Sequence, residues 1–399
     1  MRRSSATQFM KDEYPDSKSD LFAGFIERVL TLVRPQGYMA QVTMQSWMFL
    51  SSYEKLRSSL QCNASILAML HMDNMVMRIA FGTSATVWEI GGNAHMPGKY
   101  TWVEIDDLDG DSPRRFPARN ARNATAGADG YFTVAQSEMA AIPGSPIVYW
   151  LSEKMRAAFD MGEPLGEIST PLVGLRTGDN NRFMRQWWEV ALDRSASDCD
   201  SLQAAAASGA RWFPYNKGGA FRRWYGNHEF VVNWEHDGKE IEEGLAERYP
   251  YLVPAGKTLV RGQGRDHYFS PSVSWSKISS GAPAFRAYPR GFIFDVAGTS
   301  MFTDTQRERD TLIAFTNSQV AYEQLSAVAP TMNFEVGQVA GLPVVDEVPN
   351  ETVGRVAALV EQSKTDWDTF ETSWDFAENP LVMTARRTAL EQTPPVDSN

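Results

Sequence analysis

Residues 211–227 hold a dense mixture of side chains that could do chemistry on a ligand. Arg211, Lys217, Arg222 and Arg223 stand there with no acid among the seventeen residues. Trp212, Phe213, Tyr215, Phe221, Trp224 and Tyr225 are interleaved with them, and Gly218-Gly219 sits in the middle. Cations reach phosphates, aromatic faces stack on bases, and glycine lets a backbone amide come close to a ligand. The pattern suits nucleic-acid contact. A β-hairpin with ordinary core aromatics fits the same residues equally well.

Two further stretches share this chemistry. Arg176, Arg182 and Arg185 cluster around Thr177-Gly178-Asp179-Asn180, which reads as a tight turn. Arginine pairs with guanine edges and asparagine with adenine edges in the major groove. Plain surface ion pairs are the competing explanation. Further on, Arg261, Arg265, Lys277, Arg286 and Arg290 alternate with Tyr268, Phe269, Trp275, Phe285 and Tyr288. The expected DNA contacts are Arg176, Asn180, Arg182, Arg185, Lys217, Arg222, Arg223, Arg261, Arg265 and Lys277.

A net charge of −11 argues against nucleic acid, but its distribution matters more. Residues 211–290 carry twelve Lys/Arg against eight Asp/Glu, whereas 346–379 carry two against nine. A basic middle beside an acidic tail permits a local DNA groove. The two cysteines, Cys62 and Cys199, are too few for a disulfide framework or a zinc site. With no long apolar run and no signal peptide, the chain reads as soluble and cytoplasmic, without a membrane partner.

Several chemistries are excluded by spacing. The five histidines lack metal-ligand spacing, and the Glu104–Asp111 acidic run fails the calcium-loop pattern, so a solvated loop is expected there. Gly256-Lys-Thr258 mimics the end of a phosphate loop, but Tyr251 stands where that motif needs glycine. No nucleophile elbow occurs.

The elements that must position these residues follow from periodicity. Ser19-Asp20 precedes an apolar face at Leu21, Phe22, Phe25, Ile26, Val29, Leu30 and Val33, which predicts a capped helix ended by Pro35 and Gly37. Residues 38–44 read as a buried strand, 51–60 as a helix with Tyr53 and Leu56 inward, and 65–70, 75–81 and 85–90 as strands. Helix alternating with strand implies α/β with a partly parallel sheet. Residues 91–170 read as a connector. Val231–Trp234 reads as a strand followed by a turn at Glu235–Lys239. A helix is expected over 350–378, and a frayed tail over 381–399.

Tyr14-Pro-Asp-Ser-Lys-Ser-Asp-Leu-Phe22 and Thr43-Met-Gln-Ser-Trp-Met-Phe-Leu-Ser-Ser-Tyr-Glu-Lys-Leu-Arg57 are long and specific. They resemble the adenine-specific DNA methyltransferases of BREX phage-defence systems, the PglX-like family. The similarity covers almost all of 11–380, with further matching stretches at 142–152, 174–188, 311–343 and 350–376. It implies the C-terminal half of a Rossmann-like methyltransferase domain at 1–100 and a connector at 101–165. A mostly β, α+β target-recognition domain at 166–345 and a helical spacer and tail at 346–399 would follow. In that family these stretches follow an Asn-Pro-Pro-Tyr motif. That motif and the Gly-rich loop for S-adenosylmethionine do not occur in this chain. No catalytic residue is therefore assigned, and methylation by the chain alone is expected to be negligible. S-adenosylmethionine is expected in the complete family enzyme, with binding by this chain alone doubtful. Double-stranded DNA and other BREX proteins are the implied partners. The resemblance also implies that Phe81, in Phe81-Gly-Thr-Ser-Ala-Thr-Val-Trp88, stacks on a flipped target adenine, against an alternative role as a strand-end core residue. The competing functional reading is a non-enzymatic DNA-recognition or assembly subunit of a split methyltransferase.

Overall fold

The computed structural model describes residues 5–109, 112–113, 130–250, 264–279, 281–329, 333–345 and 347–391. It is a mixed α/β structure in two units, residues 1–162 with 324–330, and residues 163–323 with 331–399.

The first unit opens with helix α1 (Ser5–Glu13) and helix α2 (Leu21–Leu32). Asp20 caps α2 by accepting from the Phe22 amide, as its position before the apolar face requires. Strand β1 (Tyr38–Met44) leads through short 3-10 turns into helix α3 (Glu54–Asn63), and strands β2 (Ala64–Met72), β3 (Thr83–Ile90) and β4 (Pro97–Val103) follow. With β5 (Tyr131–Ala135) they form a sheet of order β1-β3-β2-β4-β5. Strand β3 is antiparallel to both β1 and β2, and β2 is parallel to β4. Two of these strands come from the segment that the sequence marks as a connector. Helix α4 (Glu153–Met161) closes the unit, capped by Ser152.

Two sequence expectations need correction here. Residues 75–81 form no strand, because Met75 and Arg78 take left-handed backbone, at φ 67° and 60°. The stretch is the β2–β3 loop. Strand β1 is an edge strand, not a buried one: Met39 and Thr43 face inward, while Tyr38 and Val42 are 66% and 60% exposed.

Trp47 and Trp88 are fully buried and pack with ring centroids 5.7 Å apart. Arg57 is buried beside them. Its guanidinium donates to the carbonyls of Trp47, Leu50 and Gly144, each at 2.8 Å. Burial lowers its pKa to about 10, so it stays charged at neutral pH. A groove of about 960 Å³ is lined by Asp16, Lys18, Ser51, Lys55, Ser58 and the exposed Cys62, among others.

The second unit holds two four-stranded sheets. The first orders β7 (Met184–Gln186), β9 (Phe230–Asn233), β8 (Trp212–Asn216) and β12 (Ile293–Phe294). The second orders β11 (Phe285–Tyr288), β10 (Ser272–Trp275), β13 (Ser300–Phe302) and β6 (Thr170–Leu172). Buried Asn216 ties them together: its amide donates to Ser274 Oγ at 2.6 Å and to the Gly298 carbonyl at 3.0 Å, and its oxygen accepts from the Gly218 amide. A buried side-chain amide satisfied on both ends favours this one arrangement of the sheets.

Helix α5 (Glu235–Arg248) begins with a left-handed turn at His236, Asp237 and Gly238. The turn was expected, but the helix after it was not. Helix α6 (Gln306–Thr316) carries a Thr305–Glu308 capping box and packs on α7 (Asn350–Trp367), whose Val353 and Val356 face inward. Residues 380–391 form helix α8 rather than the start of a frayed tail, and 392–399 lie outside the described residues. No helix among the described residues is long and apolar enough to cross a membrane, and no cluster of metal-ligating side chains occurs among them.

Candidate nucleic-acid interface

Strand β8 explains half of the aromatic stretch. It lies inside its sheet, so Phe213 and Tyr215 are buried core residues at 1% and 0% exposure. Tyr225 is also buried, against His228. Only Phe221 among the six aromatics is mainly exposed, at 61%. The hairpin-core explanation thus holds for the strand, and the loop after it is the part that reaches solvent.

That loop has unusual backbone. Gly218, Gly219, Trp224, Gly226 and Asn227 all take positive φ. For a bulky residue such as Trp224, at φ 76°, this is a costly conformation that the surroundings must enforce. The glycines serve close packing within the chain: a Cβ at Gly218 would lie 2.7 Å from the Ala297 carbonyl oxygen.

The expected DNA contacts divide by partner. Lys217 pairs with buried Asp295 at 2.7 Å, Arg265 with Asp237, and Lys277 with Glu335 at 3.0 Å. Arg222 lies over the Trp367 ring at 4.8 Å, with Asp366 3.6 Å away. Arg223 lies over Phe221 at 5.6 Å and has no acid within 4.0 Å among the described residues. Arg176 and Arg182 are exposed. Arg182 sits over the Phe183 ring, and Arg185 donates to the carbonyls of Asn181 and Met184. Asn180 accepts from the Thr177 hydroxyl, and Asp179 caps the helical turn at Asn180–Phe183. Arg185 and Arg211 approach the Trp212 ring at 5.9 and 5.7 Å, so the 174–188 and 211–227 stretches meet on one sheet. Arg261 lies outside the described residues.

Sequence reasoning passed over Arg286 as a site residue. It is 0% exposed, in strand β11, beneath the 217–227 loop. The signal was its position between Phe285 and Ala287 in a strand, where a cation must turn inward or outward by the two-residue period.

In the first unit, Phe81 ends the β2–β3 loop and is 45% exposed, as are Met75, Met77 and Ile79 to similar degrees. The loop is closed on itself by Met75 N–H donating to the Ile79 carbonyl at 2.9 Å. Its end is pinned where Gln45 N–H donates to the Gly82 carbonyl. Gln45 Oε1 in turn lies 2.5 Å from His71 Nε2, and His71 Nδ1 lies 2.9 Å from the Tyr149 hydroxyl. The ring donates to Gln45 and accepts from Tyr149, the pattern of a neutral imidazole. Burial lowers the His71 pKa to about 4, in agreement.

In sequence the chain is similar to adenine-specific DNA methyltransferases. The Eco57I restriction-modification methylase family profile matches residues 1–76. The chain is 33% identical over 380 residues to the adenine-specific methyltransferase BrxX of Escherichia coli O9:H4 (strain HS), and 32% identical over 388 residues to the adenine-specific methyltransferase PglX of Lacticaseibacillus casei (strain Zhang). Each match covers 94% of this chain, but the chain spans only 29% and 31% of those two proteins. In three dimensions it is similar to the type IIL restriction-modification enzyme MmeI in complex with DNA, with a TM-score of 0.53 at 11% identity, covering 94% of this chain and 48% of that one. The resemblance to BREX adenine-specific methyltransferases read from residues 14–22 and 43–57 is borne out: this chain is related to them along nearly its whole length.

Proposed function

We propose that this chain is the DNA target-recognition part, with half of the catalytic domain, of an adenine-specific (N6) DNA methyltransferase of a phage-defence system. The similarity to BrxX and PglX along 94% of the chain carries this reading. Residues 1–100 would be the C-terminal half of the Rossmann-like catalytic domain, 101–165 a connector, 166–345 the recognition domain, and 346–399 a helical spacer and tail. Arg176, Arg182, Arg185 and Arg223, which have no carboxylate partner among the described residues, are the cations best placed to meet DNA. Phe81 would stack on the extruded adenine.

S-adenosylmethionine would supply the methyl group in the complete enzyme. The residues of this chain do not fit it. The strand-to-helix connection of the first unit, Gln45–Tyr53, contains no glycine to admit a cofactor, and the Asn-Pro-Pro-Tyr motif does not occur. No step is therefore assigned to the chain alone. The partners would be double-stranded DNA and other BREX proteins.

The open edge of β1, with Tyr38 and Val42 exposed, favours a second reading, a recognition or assembly subunit whose catalytic half comes from another polypeptide. Methyl transfer to unmodified DNA, with and without a polypeptide carrying the motif and the Gly-rich loop, tests both. Activity from this chain alone would refute the proposal of negligible methylation.

A further inference from the structure

The loop after β8 lies over a buried charge. Three of its carbonyls are drawn into the protein. Arg286 Nη1 donates to the Arg222 carbonyl at 3.2 Å. Ser276 Oγ donates to the Gly219 carbonyl at 2.9 Å. Asn227 Nδ2 donates to the Ala220 carbonyl at 3.0 Å. No peptide bond among the described residues is cis. In a trans peptide the carbonyl and the following N–H point in opposite directions. The amides of Ala220, Phe221 and Arg223 are therefore turned outward, and none donates to a described residue. Ala220 and Phe221 are exposed.

Arg286 supplies the second observation. Its guanidinium is fully buried, and Nη2 donates to Ser276 Oγ at 2.8 Å. Its Nε has no hydrogen-bond partner. No carboxylate of the described residues lies within 4.0 Å of it. Glu229 acts on it only at longer range, so the buried cation lacks a direct ion pair, which is costly, and an anion bound on the loop above would offset that cost. Outward amides over a fixed positive charge favour a phosphate group.

We infer that Ala220, Phe221 and Arg223 amides, backed by buried Arg286, seat one phosphodiester of the DNA backbone, with Phe221 and Arg223 at the rim. This rests on the DNA-recognition reading above and names the group that the loop takes. Arg286 acts through the loop, so it is a positioning residue.

The test uses the whole chain and a short DNA duplex. Binding is measured between about 50 and 200 mM salt, where each neutralised phosphate steepens the salt dependence by about one. Arg286→Met, folded by near-ultraviolet circular dichroism, is expected to bind with a slope shallower by about one and, near 0.1 M salt, on the order of tenfold more weakly. An unchanged slope would overturn the seat while leaving DNA recognition standing. Amide hydrogen exchange on the wild-type chain decides the matter if that variant fails to fold. Duplex should slow exchange at Ala220, Phe221 and Arg223, and protection elsewhere but not there would overturn the seat. If the wild-type chain binds no duplex, DNA recognition fails. Inorganic phosphate then serves as the probe: slowed exchange at the three amides upholds an anion seat, and unchanged exchange removes it.

Discussion

Lys217 Nζ lies 2.7 Å from Asp295 Oδ1, and the aspartate is only 1% exposed. The Tyr215 hydroxyl and the Ala297 amide also donate to that carboxylate. Lys217 therefore balances an interior charge. Lys217→Ala is expected to lower stability by about 2–3 kcal/mol, because it leaves a buried carboxylate with neutral partners only. Urea denaturation measures this. A stability within about 0.5 kcal/mol of wild type would show that the pair contributes little to the fold.

Burial holds two histidines neutral in the fold, His71 with a pKa of about 4 and His228 of about 3. Unfolded histidine titrates near 6.5. Between these values the unfolded chain takes up protons that the folded chain refuses. Stability is thus complete above pH about 6.5 and falls as the pH drops, by up to about 1.4 kcal/mol per pH unit for each histidine. His71→Gln should flatten that slope in the first unit by about one proton. Denaturation midpoints across pH 4–7.5 that fall equally in the variant would contradict this.

Arg57 holds three carbonyls from two separate segments. Arg57→Met keeps much of the volume but strands those acceptors. A loss of at least about 2 kcal/mol is expected, visible as early melting of the first unit. Melting at the wild-type temperature would mean that water replaces the guanidinium freely.

Phe81 is half exposed, so Phe81→Ala should cost the fold less than about 1 kcal/mol. In a complete enzyme that carries this segment, turnover should nonetheless fall, and Phe81→Tyr should restore most of it. A fluorescent adenine analogue at the target position reads the extrusion directly. Equal fluorescence with the alanine variant would remove the stacking role.

The sequence exposed elements whose signals are local. The α2 face and its Asp20 cap, the inward Tyr53 and Leu56, and Val353 with Val356 on α7 all follow from spacing alone. Met75, Met77, Ile79 and Phe81 alternate like a strand but find no partner strand, since left-handed residues close the loop first. Ion pairs were illegible for a different reason. Lys217 and Asp295 are 78 residues apart, and only the fold says which cation meets which acid. The same holds for Arg286, whose inward direction depends on the loop packed above it.

Cys199 is buried, whereas Cys62 opens onto the serine-rich groove of the first unit. A thiol-reactive dye should therefore attach at one position of the native chain without any engineering. The groove becomes an optical vantage point, from which the arrival of any second polypeptide on the first unit can be timed while the loops of the second unit stay unlabelled.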